Sequence, residues 1–174
     1  MYILKTTFTL LFCALPFLTH AAQSCNSAIP RSAPDSRYID HGDRTVTDSE
    51  TGLMWKQCSE GLSDSGCVSG AIETFNWQEA MARAESINSG AGFAGYTDWR
   101  VPDIKELASL VEIACYSPAI NETLFPATPA SGFWSASPNA SVSGSSWIVF
   151  FSNGYDYYDV KSYGLRLRLV RAGQ

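Results

Sequence analysis

Few side chains in this sequence are of a type and spacing that could do chemistry. His41 is the one histidine beyond residue 22, and it sits in Asp40-His41-Gly42-Asp43. A lone histidine among turn carboxylates reads as a turn residue before it reads as an acid–base catalyst. The same stretch, even with Asp48, offers too few closely spaced oxygens for calcium, which wants six or more. Asp156 and Asp159 could form a carboxylate pair, but Arg166 and Arg168 follow them. Acids opposite arginines are more simply cross-strand ion pairs than glycosidase machinery. Trp99-Arg100 lies within the run Gly95 to Pro102 with no Ser, Cys or His beside it to act as nucleophile or base. There the guanidinium can bridge a carboxylate, Asp98 or Glu106, while the indole fills the core. Asp98, Trp99, Arg100, Pro102, Asp103 and Glu106 are therefore expected to be architectural, with Arg100 a buried strut.

The cysteines set the compartment. Lys5 followed by the apolar run Phe8 to Leu18 reads as a secretory leader, cut after Ala21 or Ala22, so residues 1–22 are set aside. That run is too short to span a membrane. Cys13 leaves with it, and Cys25, Cys58, Cys67 and Cys115 remain, an even number in an oxidising, extracytoplasmic setting. Three connectivities exist. The favoured one joins Cys58 to Cys67 around a Gly- and Ser-rich loop and Cys25 to Cys115 between the N-terminal tail and a helix end. Four thiols could instead hold zinc, but no C-x-x-C pair is present, so neither metal nor cofactor is expected.

Charge excludes one class of partner. Taking Lys5 from the 12 basic residues leaves 11 against 17 acidic ones. A domain so acidic, without a basic run, is a poor nucleic-acid binder. What it has in quantity is aromatic surface. Tyr155, Tyr157, Tyr158 and Tyr163 crowd the last third, and Tyr157 and Tyr158 are adjacent, so in a strand one of them must face outward. Tyr155, Tyr157 and Tyr158 with Arg166 and Arg168 form the candidate contact patch, because tyrosine rings stack on sugars and anchor protein contacts.

The positioning elements follow from the patterning. Residues 23–37 are polar with two prolines, an extended lead-in anchored by Cys25. The domain proper runs over 38–172. Thr45 to Asp48 and Leu53 to Lys56 flank a turn with Gly52, a β-hairpin. Trp77, Ala80, Met81, Ala84 and Ile87 share a helical face, with Asn76 as cap, Glu79 three residues on and Gly90 past the end. A second helix is predicted from Asp103, with Glu106 closing the cap and Ile104, Leu107, Ala108, Val111 and Cys115 on one face. Short strands come next. Trp147 to Phe151 is apolar at every position and is expected to be buried on both faces. Ser152-Asn153-Gly154 turns the chain, Tyr155 to Val160 returns, and Leu165, Leu167 and Leu169 alternate inward with Arg166 and Arg168 outward. The fold class is a single α+β domain: hairpin, two helices, antiparallel meander.

Five ordered stretches carry a family likeness: Asp40 to Trp55, Gly95 to Pro102, Phe125 to Pro129, Phe133 to Ser137 and Arg168 to Arg171. Together they resemble the Lcl C-terminal domain family, a bacterial domain of unknown function named from a collagen-like adhesin that binds sulfated glycosaminoglycans. The Arg-x-Pro with its capped helix and the closing Arg-Leu-x-Arg are more distantly similar to C-type lectin-like and formylglycine-generating-enzyme folds. The resemblance implies a lectin-like frame. The residues ahead of the domain carry no Gly-x-y repeat, and no cysteine lies beyond Cys115 to supply the paired thiols of the enzyme. The sugar-coordinating triplets of C-type lectins are absent as well. The expected function is an exported, non-catalytic binding module for a glycan or a surface protein. The alternatives are a structural subunit that forms homo-oligomers or a cell-surface assembly, and an enzyme built on the same scaffold.

Overall fold

A computed structural model describes residues 22–173, so the expected leader lies outside the described residues except for its last position, Ala22. In chain order the elements are β1 (Ser24–Cys25), a 3-10 turn (Asp35–Arg37), β2 (Tyr38–Asp40), β3 (Thr45–Asp48), β4 (Leu53–Lys56), β5 (Leu62–Ser63), β6 (Ser69–Gly70), α1 (Trp77–Ser89), α2 (Ile104–Ala108), β7 (Cys115–Tyr116), β8 (Gly132–Pro138), β9 (Ser145–Phe150), β10 (Tyr155–Val160) and β11 (Val170–Ala172). Two sheets dominate. One runs β11-β4-β3-β2 and the other β10-β9-β8, with ribbons β1-β7 and β5-β6 beside them, an α+β domain as the patterning implied.

The hairpins form where the turn chemistry places them. Thr45 pairs with Lys56 and Asp48 with Leu53, and Gly52 between them has φ +69°. Gly154 carries a double constraint. Its φ is +80°, and a Cβ there would lie 2.5 Å from Val111 Cγ1, so the β9–β10 turn needs glycine for both backbone and space. β9 separates two apolar clusters. Val149 packs with Trp55, Phe125 and Phe133 on one side, and Ile148 with Trp99, Trp134 and Leu167 on the other, so the strand is buried on both faces as expected.

Both helices begin with complete capping boxes, Asn76 with Glu79 and Asp103 with Glu106. The second helix is much shorter than its pattern predicts. It stops at Ala108, and Cys115 lies in β7 rather than on a helical face. The cause is Glu112, whose fully buried carboxylate accepts N–H bonds from Ser32, Ala33 and Ala114 and so draws the chain out of helical register. Both favoured disulfides are present, Cys58–Cys67 and Cys25–Cys115, the second joining strands β1 and β7 rather than a tail and a helix end. The lead-in is part of the fold: Ala33 is buried, and the Gln23 amide donates to Pro118 O and Ile120 O at 2.7 and 2.6 Å.

Candidate functional site

The motif around Trp99 acts as a brace. Trp99 is 1% exposed; its indole N–H donates to Phe93 O at 3.0 Å. The Asn88 side chain at the end of α1 grips the Trp99 backbone at both N–H and C=O. Arg100 then pairs with Val170 through N–H···O bonds of 2.8 and 3.0 Å, which stitches this segment to β11. Its guanidinium meets Glu106 in a fork at 2.6 and 2.7 Å, while Glu106 also closes the capping box of α2. The Arg100 bond holds the Glu106 carboxyl below its usual range. The expected buried strut is corrected: the Arg100 side chain is 46% exposed, an outer clip on the start of the helix. Asp98 does not serve Arg100. It accepts from Arg171 at 2.7 and 3.2 Å, and Arg171 lies 3.8 Å over the Tyr96 ring.

Of the two arginines expected in the patch, one is fully buried and the other half-buried. Arg168 is fully buried: it donates to Lys56 O, Gln57 O, Ser59 Oγ and Thr128 Oγ1 and stacks 4.9 Å over Phe125. Burial pushes its guanidinium down to about 9, with the nearby Glu60 charge opposing the shift. Arg166 is half-buried, its backbone bonded to Gly132 O and Trp134 N–H. Alternation misassigned both because the segment runs between neighbours on either edge. Leu167 and Leu169 carbonyls accept from Glu60 and Lys56, opposite the contacts to β8. The anticipated ion pairs from Asp156 and Asp159 to these arginines do not form, since β10 pairs only with β9.

Sequence reasoning missed a buried charge group. Glu60 is 1% exposed and accepts from Lys56 Nζ and, at 2.9 Å, from Arg83 Nε. Burial lowers the Lys56 ammonium below its usual value, with Glu60 pulling the other way. Arg44 and Lys56 both lie over the Phe93 ring, at 4.9 and 4.3 Å. The only sequence signal was Lys56 and Glu60 four residues apart, in a stretch that is not helical.

The tyrosines do lie together. Tyr155, Tyr157 and Tyr158 on β10 are 72%, 61% and 41% exposed, and Val160 and Tyr163 extend the same strip. The Tyr157 and Tyr158 rings stack at 5.4 Å with planes 4° apart, and Trp147 meets Tyr158 edge-on at 5.9 Å. Below Trp147 a groove of about 370 Å³ is lined by Ile104, Lys105, Ala108, Trp147 and Asp156. By strand alternation Tyr158 lies on the Trp147 face beside the groove and Tyr155 and Tyr157 on the other, the Tyr157 and Tyr158 rings meeting at the edge of β10, and the buried Arg168 takes no part. Elsewhere His41 Nε2 bonds Thr47 Oγ1 in the β2–β3 turn, and among the described residues no group of three or more His, Cys, Asp or Glu is placed to hold a metal.

A family model described as the Lcl C-terminal domain matches residues 44–171 of the chain. A comparison with curated proteins returns no match.

Proposed function

Since this chain belongs to the Lcl C-terminal domain family, we propose that it is an exported, non-catalytic binding module for a glycan or a surface protein, on a lectin-like frame, with β10 and its groove as the contact surface. One observation carries the reading. Among the described residues, five of the eleven exposed large apolar or aromatic side chains, Tyr155, Tyr157, Tyr158, Val160 and Tyr163, fall within nine consecutive residues. A monomer scatters such residues singly, whereas a run of tyrosine along one exposed strand, with Tyr158 beside the groove, is what a contact surface needs. Trp147 supplies the groove wall, and Asp156 and Lys105 supply polar groups able to orient a ligand. All four described cysteines are closed in disulfides, and the shifted guanidinium of Arg168 and ammonium of Lys56 are buried inside the fold rather than in the groove.

The two disulfides favour an oxidising compartment. The test is a glycan array and a surface-protein overlay with the wild type and with Tyr157→Ala/Tyr158→Ala. Ligands lost in the double variant at unchanged melting temperature support the reading. Ligands retained in full by it would move the contact surface elsewhere.

A further inference from the structure

We propose that β10 receives a basic, extended segment of a partner protein as an added strand along its free edge, the segment's lysines or arginines meeting Asp156 and Asp159. The inference rests on the binding-module reading and names the class of its ligand.

The edge is open and regular. β10 pairs with β9 at all six positions, Tyr155 with Phe150 through Val160 with Ser145, without a register shift. The opposite edge of this sheet is closed: Phe133 bridges Arg166, Trp134 N–H donates to Arg166 O, and Arg166 N–H donates to Gly132 O. The β11 edge of the other sheet is covered by Arg100, and its β2 edge is three residues long. The parity of β10 is set by Lys161 N–H donating to Gly144 O. Odd positions therefore turn their peptide groups toward β9, and those of Asp156, Tyr158 and Val160 face outward. Val160 N–H bears this out by turning back to its neighbour Asp159 Oδ1 at 2.8 Å. Val160 is already satisfied, its N–H by Asp159 and its C=O by the Tyr163 N–H at 2.9 Å, so a strand laid about 4.8 Å away would pair with Asp156 and Tyr158, two residues apart.

Exposed edges are usually protected by lysine, proline or a bulge. β10 has none of these; its charges are Asp156 and Asp159. Neither carboxylate is in an ion pair with an arginine or lysine. The nearest cations are accounted for. Lys105 shares the groove with Asp156, and Lys161 is drawn away, donating to Ser143 O and lying 4.4 Å over Trp77. By strand alternation Asp156 lies on the Trp147 face and Asp159 on the other, so an incoming strand meets a carboxylate on each side of the sheet. Tyrosine rings beside these acids add a cation–π surface. A second copy of this chain fits poorly, because it would bring two more carboxylates to the same edge. Recognition of this kind draws affinity from main-chain bonds and selectivity from alternate side chains.

The probe is a fluorescein-labelled acetyl-(Lys-Val)4 amide, titrated by anisotropy against the oxidised protein, with its backbone N-methylated and (Glu-Val)4 counterparts. The parent peptide is expected to bind, and the N-methylated and acidic peptides to bind at least tenfold more weakly. Asp156→Asn is expected to weaken the parent several-fold. Asp156→Pro, which removes an outward N–H without touching the β9 pairing, is expected to weaken it further at an unchanged melting temperature. Amide exchange at Asp156 and Tyr158 should slow in the complex. Equal binding by the N-methylated peptide, or none by the parent, overturns the strand. If a glucosamine oligomer or an array glycan then binds in a Tyr157-dependent way, the binding-module reading stands without it. A dimer broken by Asp156→Pro would overturn it in favour of a second copy.

Discussion

Strand β10 and the segment Leu165 to Arg171 lie a few residues apart and are written in the same alternating style, yet their fates are inverted. In the closing segment Arg168 and Arg171 are buried at 0% and 5% exposure, whereas the tyrosines of β10 stand in solvent. Hydropathy alone would sort them the other way. The difference lies in coverage. The closing segment has hydrogen-bonded neighbours along both edges and lies inside the fold, half-buried at Arg166, and Arg168 and Arg171 are kept there by carbonyls, Asp98 and aromatic rings. β10 has a neighbour on one edge only. Between these two segments, arginine builds and tyrosine meets the outside.

The sharpest way to break that comparison is Arg168→Ala. It removes a buried cation and strands four acceptors, so unfolding by denaturant should show a loss of about 3–5 kcal/mol. A loss under about 1 kcal/mol would mean that the closing segment is not held by its arginine. Next comes Asp48, fully buried, which accepts from Arg37 at 2.7 Å, from Thr51 Oγ1 and from Glu50 N–H. Burial alone would raise its pKa, but these donors together lower it below the ordinary aspartate value. Its stabilisation is thus complete above the unfolded-state pKa, about 4, and is lost as pH falls through the lower folded value. Asp48→Asn is expected to cost about 2 kcal/mol at pH 7 and to flatten the acid limb of the melting profile between pH 5 and 2, roughly the range in which carboxylates titrate.

Arg100→Ala gives a smaller effect, about 0.5–1 kcal/mol, because its fork with Glu106 is close to half exposed. A loss of several kcal/mol would restore it as an internal strut. Smallest is Tyr157→Ala, expected within about 0.5 kcal/mol of wild type in stability while reducing ligand capture, a split that a core tyrosine would not show.

Local chemistry made the hairpin at Gly52, both capping boxes, the turn before β10 and the two disulfides legible in advance, since each depends on residues close in sequence or on the few cysteines present. The exposed tyrosines were legible for the same reason. The place of Arg168 was not. Its environment is assembled from Lys56, Gln57, Ser59 and Thr128, between 40 and 112 residues away, and no periodicity within the strand reports on them. The early end of α2 was hidden likewise, because the buried Glu112 that ends it is held partly by Ser32 and Ala33 of the lead-in.

That Glu112 carboxylate also fixes where the cooperative unit starts. The family match begins at residue 44, but two of the three backbone donors that neutralise this charge come from some ten residues upstream, and Gln23 and Cys25 fasten the strap still further back. Trimming the chain to its matched boundary would strip the Glu112 carboxylate of those two donors and open its buried site to water. The segment ahead of the match is thus the last wall of the building, not its doorstep.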